Sequence, residues 1–350
     1  MTPSLKDFSP RFRDRLLDLL WRQWTALGVT GQASPWRLTP VDPEALLLVS
    51  CTLARHDARL FDAILDWLTI NGRYLNVQRV RRLVSDQSFK GEAVFAAMAA
   101  KTSTSAFAVK WARSTQAPDR KAHSGSEPLF FMPDGKPLPI LHAPDPVFLS
   151  HGLVRELYEK RNVAQPFGTR DSATLLLKLR ALIGVSSRCE ILAYLLLNGY
   201  GSPRAVARSC GYYPATVIKA LAEMEESGFL VSRMEGRQRQ YSLASDAWRT
   251  LILGDVRPRW IAWPALFSAL EQIWLFLGVP ERDEQSPLAQ ASSLRRILKT
   301  SVSDNLASCG LGLPTLAIEP HTGEALLPYF MTRMNDVLDT LDKLGYLTGR

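Results

Sequence analysis

Apolar residues recur at helical spacing along most of this chain. In "FRDRLLDLLWRQWTALG", Phe12, Leu16, Leu19, Leu20 and Trp24 fall on one face, and Gly28 marks a stop. "DPEALLLVSCTLARHD" opens with Asp42 as an N-cap and Pro43 at the first helical position, where its missing N–H would be unpaired anyway. "DARLFDAILDWLTING" sets Leu60, Ile64, Trp67 and Leu68 on one side before Gly72. Asn76 is placed to cap "VQRVRRLVSD", and "EAVFAAMAAK" makes one more short helix. Towards the C-terminus, Leu266, Phe267, Leu270, Ile273, Trp274 and Leu277 form a broad apolar face between Pro264 and Gly278. "SSLRRILKTSVSDNL" and "YFMTRMNDVLDTLDKLGYL" add two helices. No fixed period links these segments, which argues against a solenoid.

The helical pattern breaks between residues 117 and 146, where seven prolines remove backbone donors. This stretch reads as a linker or extended arm, and its Phe130, Phe131, Ile140 and Leu141 predict packing against a neighbour. "VFLSHGLVRELYEKR" then reads as helix again. The expected division is a helical domain over 1–116, the arm over 117–146, a third domain over 147–250 and a C-terminal helical domain over 251–350.

Residues 174–244 carry a denser set of signals. "TLLLKLRALIG" and "RCEILAYLLLNG" are helices ended by Gly184 and Gly199, the second capped by Ser186 or Ser187. Ser202 and Pro203 start "RAVARSCG", Gly211 supplies a turn needing positive φ, and Pro214 opens "ATVIKALAEMEESG". Two alternating runs, "FLVSRM" and "QYSLA", then flank the arginine-rich bend "EGRQR" around Gly236. Helix, tight turn, helix, hairpin is the order of a helix-turn-helix followed by a wing.

On "SSRCEILAYLLLNG", "SPRAVARSCGYYPATVIKALAEMEESGFL" and "VSRMEGRQRQYSL", the segment from about 172 to 246 resembles the winged helix-turn-helix domains of ArsR- and MarR-class regulators. The resemblance implies a mainly α protein, with the winged unit and its two-stranded wing flanked by N-terminal and C-terminal helical regions. It implies a recognition helix whose first turns enter a major groove about 12 Å wide. Tyr212, Tyr213, Thr216 and Lys219 occupy that end, Arg204 and Arg208 sit on the preceding helix where phosphates would run, and Arg233, Arg237 and Arg239 surround the wing. Arg79, Arg81 and Arg82 form a second basic group, read as a solvated helix face, a secondary DNA contact or a dimer surface.

Composition adds modest weight. The net charge of +8 favours a polyanionic partner without specifying one. Between 170 and 250 there are eleven Lys and Arg against seven Asp and Glu, with Glu223, Glu225 and Glu226 away from the expected DNA end. Cys51, Cys189, Cys210 and Cys309 lack C-x-x-C spacing, and the five histidines lack metal-ligand spacing. No phosphate-binding loop, dinucleotide fingerprint or nucleophile elbow is present. No signal peptide or membrane span is read from the chain, and a cytoplasmic setting with reduced thiols is expected.

These features lead to the expectation of a double-stranded DNA-binding transcriptional regulator. It acts as a homodimer and more readily as a repressor, with no cofactor, no metal and no enzymatic activity. Trp260, Trp263, Phe267 and Trp274 are the expected dimer surface or effector-pocket lining. The competing reading is a protein-interaction module, an antitoxin or adaptor whose winged fold binds a protein; a third is an enzyme subunit using the domain to place a substrate.

Overall fold

Capping side chains set many of the helix starts. Ser4, Asp42, Asp57, Ser202 and Ser286 each accept a hydrogen bond from a first-turn backbone N–H, satisfying a donor that has no partner inside the helix. The computed structural model describes residues 4–31, 33–87, 89–102, 125–256, 258–312 and 316–346, and these are mainly helical with a small amount of sheet. The start of the proline-rich stretch, 117–124, lies outside the described residues.

The first region contains α1 (Leu5–Ala26), α2 (Pro43–Leu53), α3 (Ala58–Asn71), α4 (Val77–Gln87) and α5 (Glu92–Lys101). Asn76 caps α4 as expected, its Oδ1 accepting from the Arg79 N–H at 3.1 Å. The arm follows as an extended segment: β1 (Glu127–Pro128) pairs in parallel with β2 (Leu153–Val154), on either side of the short α6 (Pro146–Ser150). "VFLSHGLVRELYEKR" is therefore mostly not helix; Gly152 at φ 75° turns the chain out of α6 and into β2. Leu129 and Phe130 are buried against the helical region, with the Phe61 and Phe130 rings 5.3 Å apart, whereas Leu141 is 82% exposed and Ile140 stands at the surface.

A central unit comes next: α7 (Leu175–Ile183), α8 (Ser187–Asn198), β3 (Tyr200–Gly201), α9 (Pro203–Cys210), α10 (Pro214–Glu226), β4 (Leu230–Glu235), β5 (Gln238–Leu243) and α11 (Ala247–Leu253). β4 and β5 form an antiparallel hairpin, Leu230 opposite Leu243 and Glu235 opposite Gln238, and β3 pairs with the outer edge of β5. The bend falls at Gly236, φ 60°, and the α9–α10 turn at Gly211, φ 70°. The chain then continues through α12 (Trp263–Leu277), α13 (Pro287–Ile297), α14 (Ser303–Ser308) and α15 (Leu326–Tyr346).

Two apolar cores result. The smaller belongs to the central unit, gathering Leu175, Leu179, Ile191, Leu195, Val206, Val217, Leu221, Leu230 and Tyr241 among others. The larger runs without interruption from the N-terminal helices through the arm to the C-terminal helices. The two terminal regions, expected as separate domains, thus share one core. Aromatic contacts tie them together: the Trp36 and Trp263 rings meet edge-on at 5.6 Å, and Trp263 Nε1 donates to the Pro40 carbonyl at 2.7 Å. Trp263, Phe267 and Trp274 are consequently interior residues rather than a dimer surface. Their stripe is as apolar as an interface would be, and the N-terminal half of the same chain covers it. α7 belongs to both cores, giving Leu175, Leu176 and Leu179 to the smaller and Leu177 to the larger.

Gly211 is required twice over, since its φ is left-handed and a Cβ there would lie 2.6 Å from Leu83 Cδ2 on α4. Gly211→Ala should lower stability by at least about 1–2 kcal/mol through backbone strain alone. Chemical denaturation followed by far-UV circular dichroism measures this, and a variant as stable as the parent would contradict the turn geometry.

Candidate nucleic-acid interface

Helical periodicity sorts the side chains of α9 and α10. On α9, Val206, Ala207 and Cys210 face the smaller core, which turns Arg204 and Arg208, one helical turn apart, to the outside. On α10, Val217, Ala220, Leu221 and Met224 are buried, leaving Ala215, Thr216, Ile218 and Lys219 exposed. Arg233, Arg237 and Arg239 are exposed on the hairpin. Among the described residues, Arg204, Arg208, Arg233 and Arg237 make no ion pair. Lys219 lies 4.0 Å from Glu223, a residue that also pairs with Arg188. Arg239 on β5 is tethered to α10, 3.6 Å from Glu225, and lies 3.5 Å from the Tyr241 hydroxyl of its own strand.

Two residues of the expected surface are instead interior. Tyr212 is 8% exposed, and its hydroxyl donates to Glu190 at 2.8 Å while accepting from Asn76 at 3.1 Å. Arg79 is 1% exposed; it pairs with Asp42 and with Glu44 (2.7 Å), and its Nε donates to the Cys210 carbonyl at 2.9 Å. Neither can meet a nucleic acid in this arrangement. Both belong to a polar network at the seam between the central unit and the N-terminal helices. Arg180 of α7 completes it with bonds to both Glu44 oxygens, at 2.6 and 2.8 Å, and a pairing with Glu190. Burial alone would raise the Asp42 carboxyl, but the charge and hydrogen bonds of Arg79 and the Ala45 N–H outweigh it and hold the group below the ordinary range. Burial beside Glu190 pushes the Tyr212 phenol well upward, so it stays a neutral donor.

This network sets α4 against the start of α10. The Arg82 guanidinium lies over the Tyr213 ring, 3.3 Å from its centroid, while its Nη2 pairs with Asp86 at 2.6 Å. The Arg82 Nε and Nη1 are buried without a hydrogen-bond partner. A groove of about 690 Å³ runs between the two helices, lined by Arg81, Arg82, Tyr213 and Thr216 together with Ser186 and Ser187. Arg81 and Arg82, read from sequence as a separate basic group, therefore border the same groove as Thr216. Ser186 and Ser187 were legible only as a helix start; Ser186 stands at the N-cap of α8 without making a capping bond. Nothing in the sequence indicated that they would face an arginine pair from another region.

All four cysteines are buried. Among the described residues, no group of three His, Cys, Asp or Glu side chains could hold a metal ion, and no helix is long and apolar enough to cross a membrane. No protein-family model matches the chain, and no curated protein or solved structure is similar enough to count as a match.

The network makes a stability prediction that separates Arg79 from its neighbour. Arg79→Leu leaves Asp42 and Glu44 short of a buried partner and should cost about 3–5 kcal/mol, whereas Arg81→Ala should stay within about 0.5 kcal/mol. Because the folded Asp42 value is depressed, its contribution is present above the unfolded value of about 3.9 and lost as pH falls through the folded one. The Arg79→Leu deficit should therefore narrow below about pH 4. Urea titrations of both variants across pH test this; a deficit independent of pH would contradict the pairing.

Proposed function

We propose that this protein is a sequence-specific double-stranded DNA-binding regulator in which α9, the Gly211 turn and α10 act as a helix-turn-helix and β4–β5 as its wing. The observation that carries the reading is the shared exposure of Thr216 and Lys219 on α10, unpaired Arg204 and Arg208 on α9, and unpaired Arg237 at the hairpin bend. In this reading Thr216 and Lys219 meet base edges or phosphates in the major groove, and Arg204 and Arg208 fix register on the flanking backbone. Arg237 reaches the neighbouring backbone or minor groove. Arg81 and Arg82 extend the same basic surface from the N-terminal helices, so one continuous face replaces the two sites read from sequence.

Repression follows from occupancy, since a bound protein of this size obstructs polymerase without a further contact. A homodimer on a palindromic site fits the usual geometry of such units, whose two recognition helices meet successive major grooves about 34 Å apart. With the tryptophan stripe interior, the pairing surface must lie elsewhere. Leu182 at 78% and Leu251 at 75% exposure are large apolar groups on the central unit that are open to it. The same two residues favour a second reading, in which the central unit docks a different protein.

Fluorescence anisotropy against the gene's own upstream DNA, run as a salt series, tests the proposal. Specific binding that weakens steeply with salt is expected, and absence of DNA affinity at low salt overturns it. Arg237→Ala should lower the salt slope by about one phosphate contact, with a smaller effect from Arg239→Ala because Glu225 already engages that guanidinium. Thr216→Ala should instead relax sequence preference, by about 1–3 kcal/mol between matched and mismatched sites.

A further inference from the structure

Two basic grooves meet along α4, and a single arginine divides them. The first, of about 690 Å³, is the one beside Thr216, where Gln78 and Arg81 on α4 and Ser187 at the start of α8 complete the lining. The second, of about 400 Å³, lies between α4 and α9 and is lined by Arg204, Arg208, Gln87 and Pro214. Arg82 borders both. Among the described residues no carboxylate lines the first groove, and Asp86, the partner of Arg82 at 2.6 Å, is the one that lines the second.

The start of α10 fixes where α4 lies. Tyr213 immediately precedes α10, and the Arg82 guanidinium stacks on its ring. Two residues earlier, Gly211 turns directly against Leu83. α4 is thus held at the end of α10 from which a recognition helix approaches base edges. Thr216 is the third residue of α10 and shares its groove with Arg81, so a duplex that reaches Thr216 also comes against α4. Either groove has room for a lone anion. The two are joined through one side chain, however, and exposed arginines stand on both sides of it, Arg204 and Arg208 on one and Arg81 on the other. That layout suits a chain of phosphates better than a single one.

We propose that one strand of the bound duplex lays its phosphates along α4, passing Arg204 and Arg208, crossing Arg82 and reaching Arg81 and the Ser187 hydroxyl. This rests on the DNA-binding reading given above. It makes the N-terminal helices a second part of the interface, which supplies backbone contacts from outside the winged unit. Contacts to phosphates carry no sequence information, so α4 raises affinity for every sequence alike while the exposed face of α10 sets preference. The protected DNA extends past α10 on the α4 side as well as on the side of the wing.

All four native cysteines are buried, so Gln78→Cys places a single exposed thiol on α4 to carry an iron–EDTA chelate. With the full chain on the gene's upstream DNA, the tethered chelate should cut the backbone at a discrete position inside the footprint. Arg81→Ala should lower the salt slope by about 0.9 and weaken matched and mismatched DNA equally, by about threefold. Lys136→Ala, an exposed change on the arm, should alter neither. Specific DNA binding without cutting from position 78, or with the parental slope in Arg81→Ala, overturns the α4 track and leaves the helix-turn-helix reading standing. Absence of all DNA affinity overturns both. Inorganic phosphate that displaces DNA more strongly than chloride at equal ionic strength, in the parent and not in Arg81→Ala, assigns the groove to a free anion and overturns the proposal as well.

Discussion

The arrangement of this protein depends on two arginines and three carboxylates buried where the central unit meets the N-terminal helices. Arg79 and Arg180 are divided among Asp42, Glu44 and Glu190, with Tyr212, Asn76 and the Cys210 carbonyl filling the remaining hydrogen-bonding positions. Taking such a group out of water is expensive, and a well-packed apolar seam could match its stability. What the charged seam adds is direction. An apolar contact tolerates sliding, whereas bonded guanidinium groups fix one orientation of α10 relative to α4.

That orientation gives the candidate surface its composition. The N-terminal helices lend two arginines to the groove beside Thr216, one stacked on Tyr213. The central unit supplies the α9 arginines and the hairpin. Positive charge thus comes from segments distant in sequence, on a chain whose local excess in the central unit is small.

Much of the fold was legible because local chemistry decided it. The cap at Asp42, the Ser202–Pro203 start, the left-handed Gly211 and the Gly236 bend all follow from rules acting over a few residues, and the structure has each of them. What escaped was long-range. Trp263 and Phe267 look the same in sequence whether they face a partner or their own N-terminal helices. Arg79 sits in the same basic run as Arg81, yet the first is interior and the second exposed, because only helical phase and the position of Asp42 distinguish them. Tyr212 and Tyr213 are adjacent and opposite in fate for the same reason. The helix expected after residue 147 failed where Gly152 turned the chain into a strand pairing with the arm, a partner that periodicity cannot see.

Glu44 and Arg180 are partners although they lie 136 positions apart. The central unit is therefore not a self-contained cassette, because a buried arginine of its first helix depends on a carboxylate of α2. A change on one side of the seam demands a matching change on the other, while the outward-facing residues of α10 are free of that constraint.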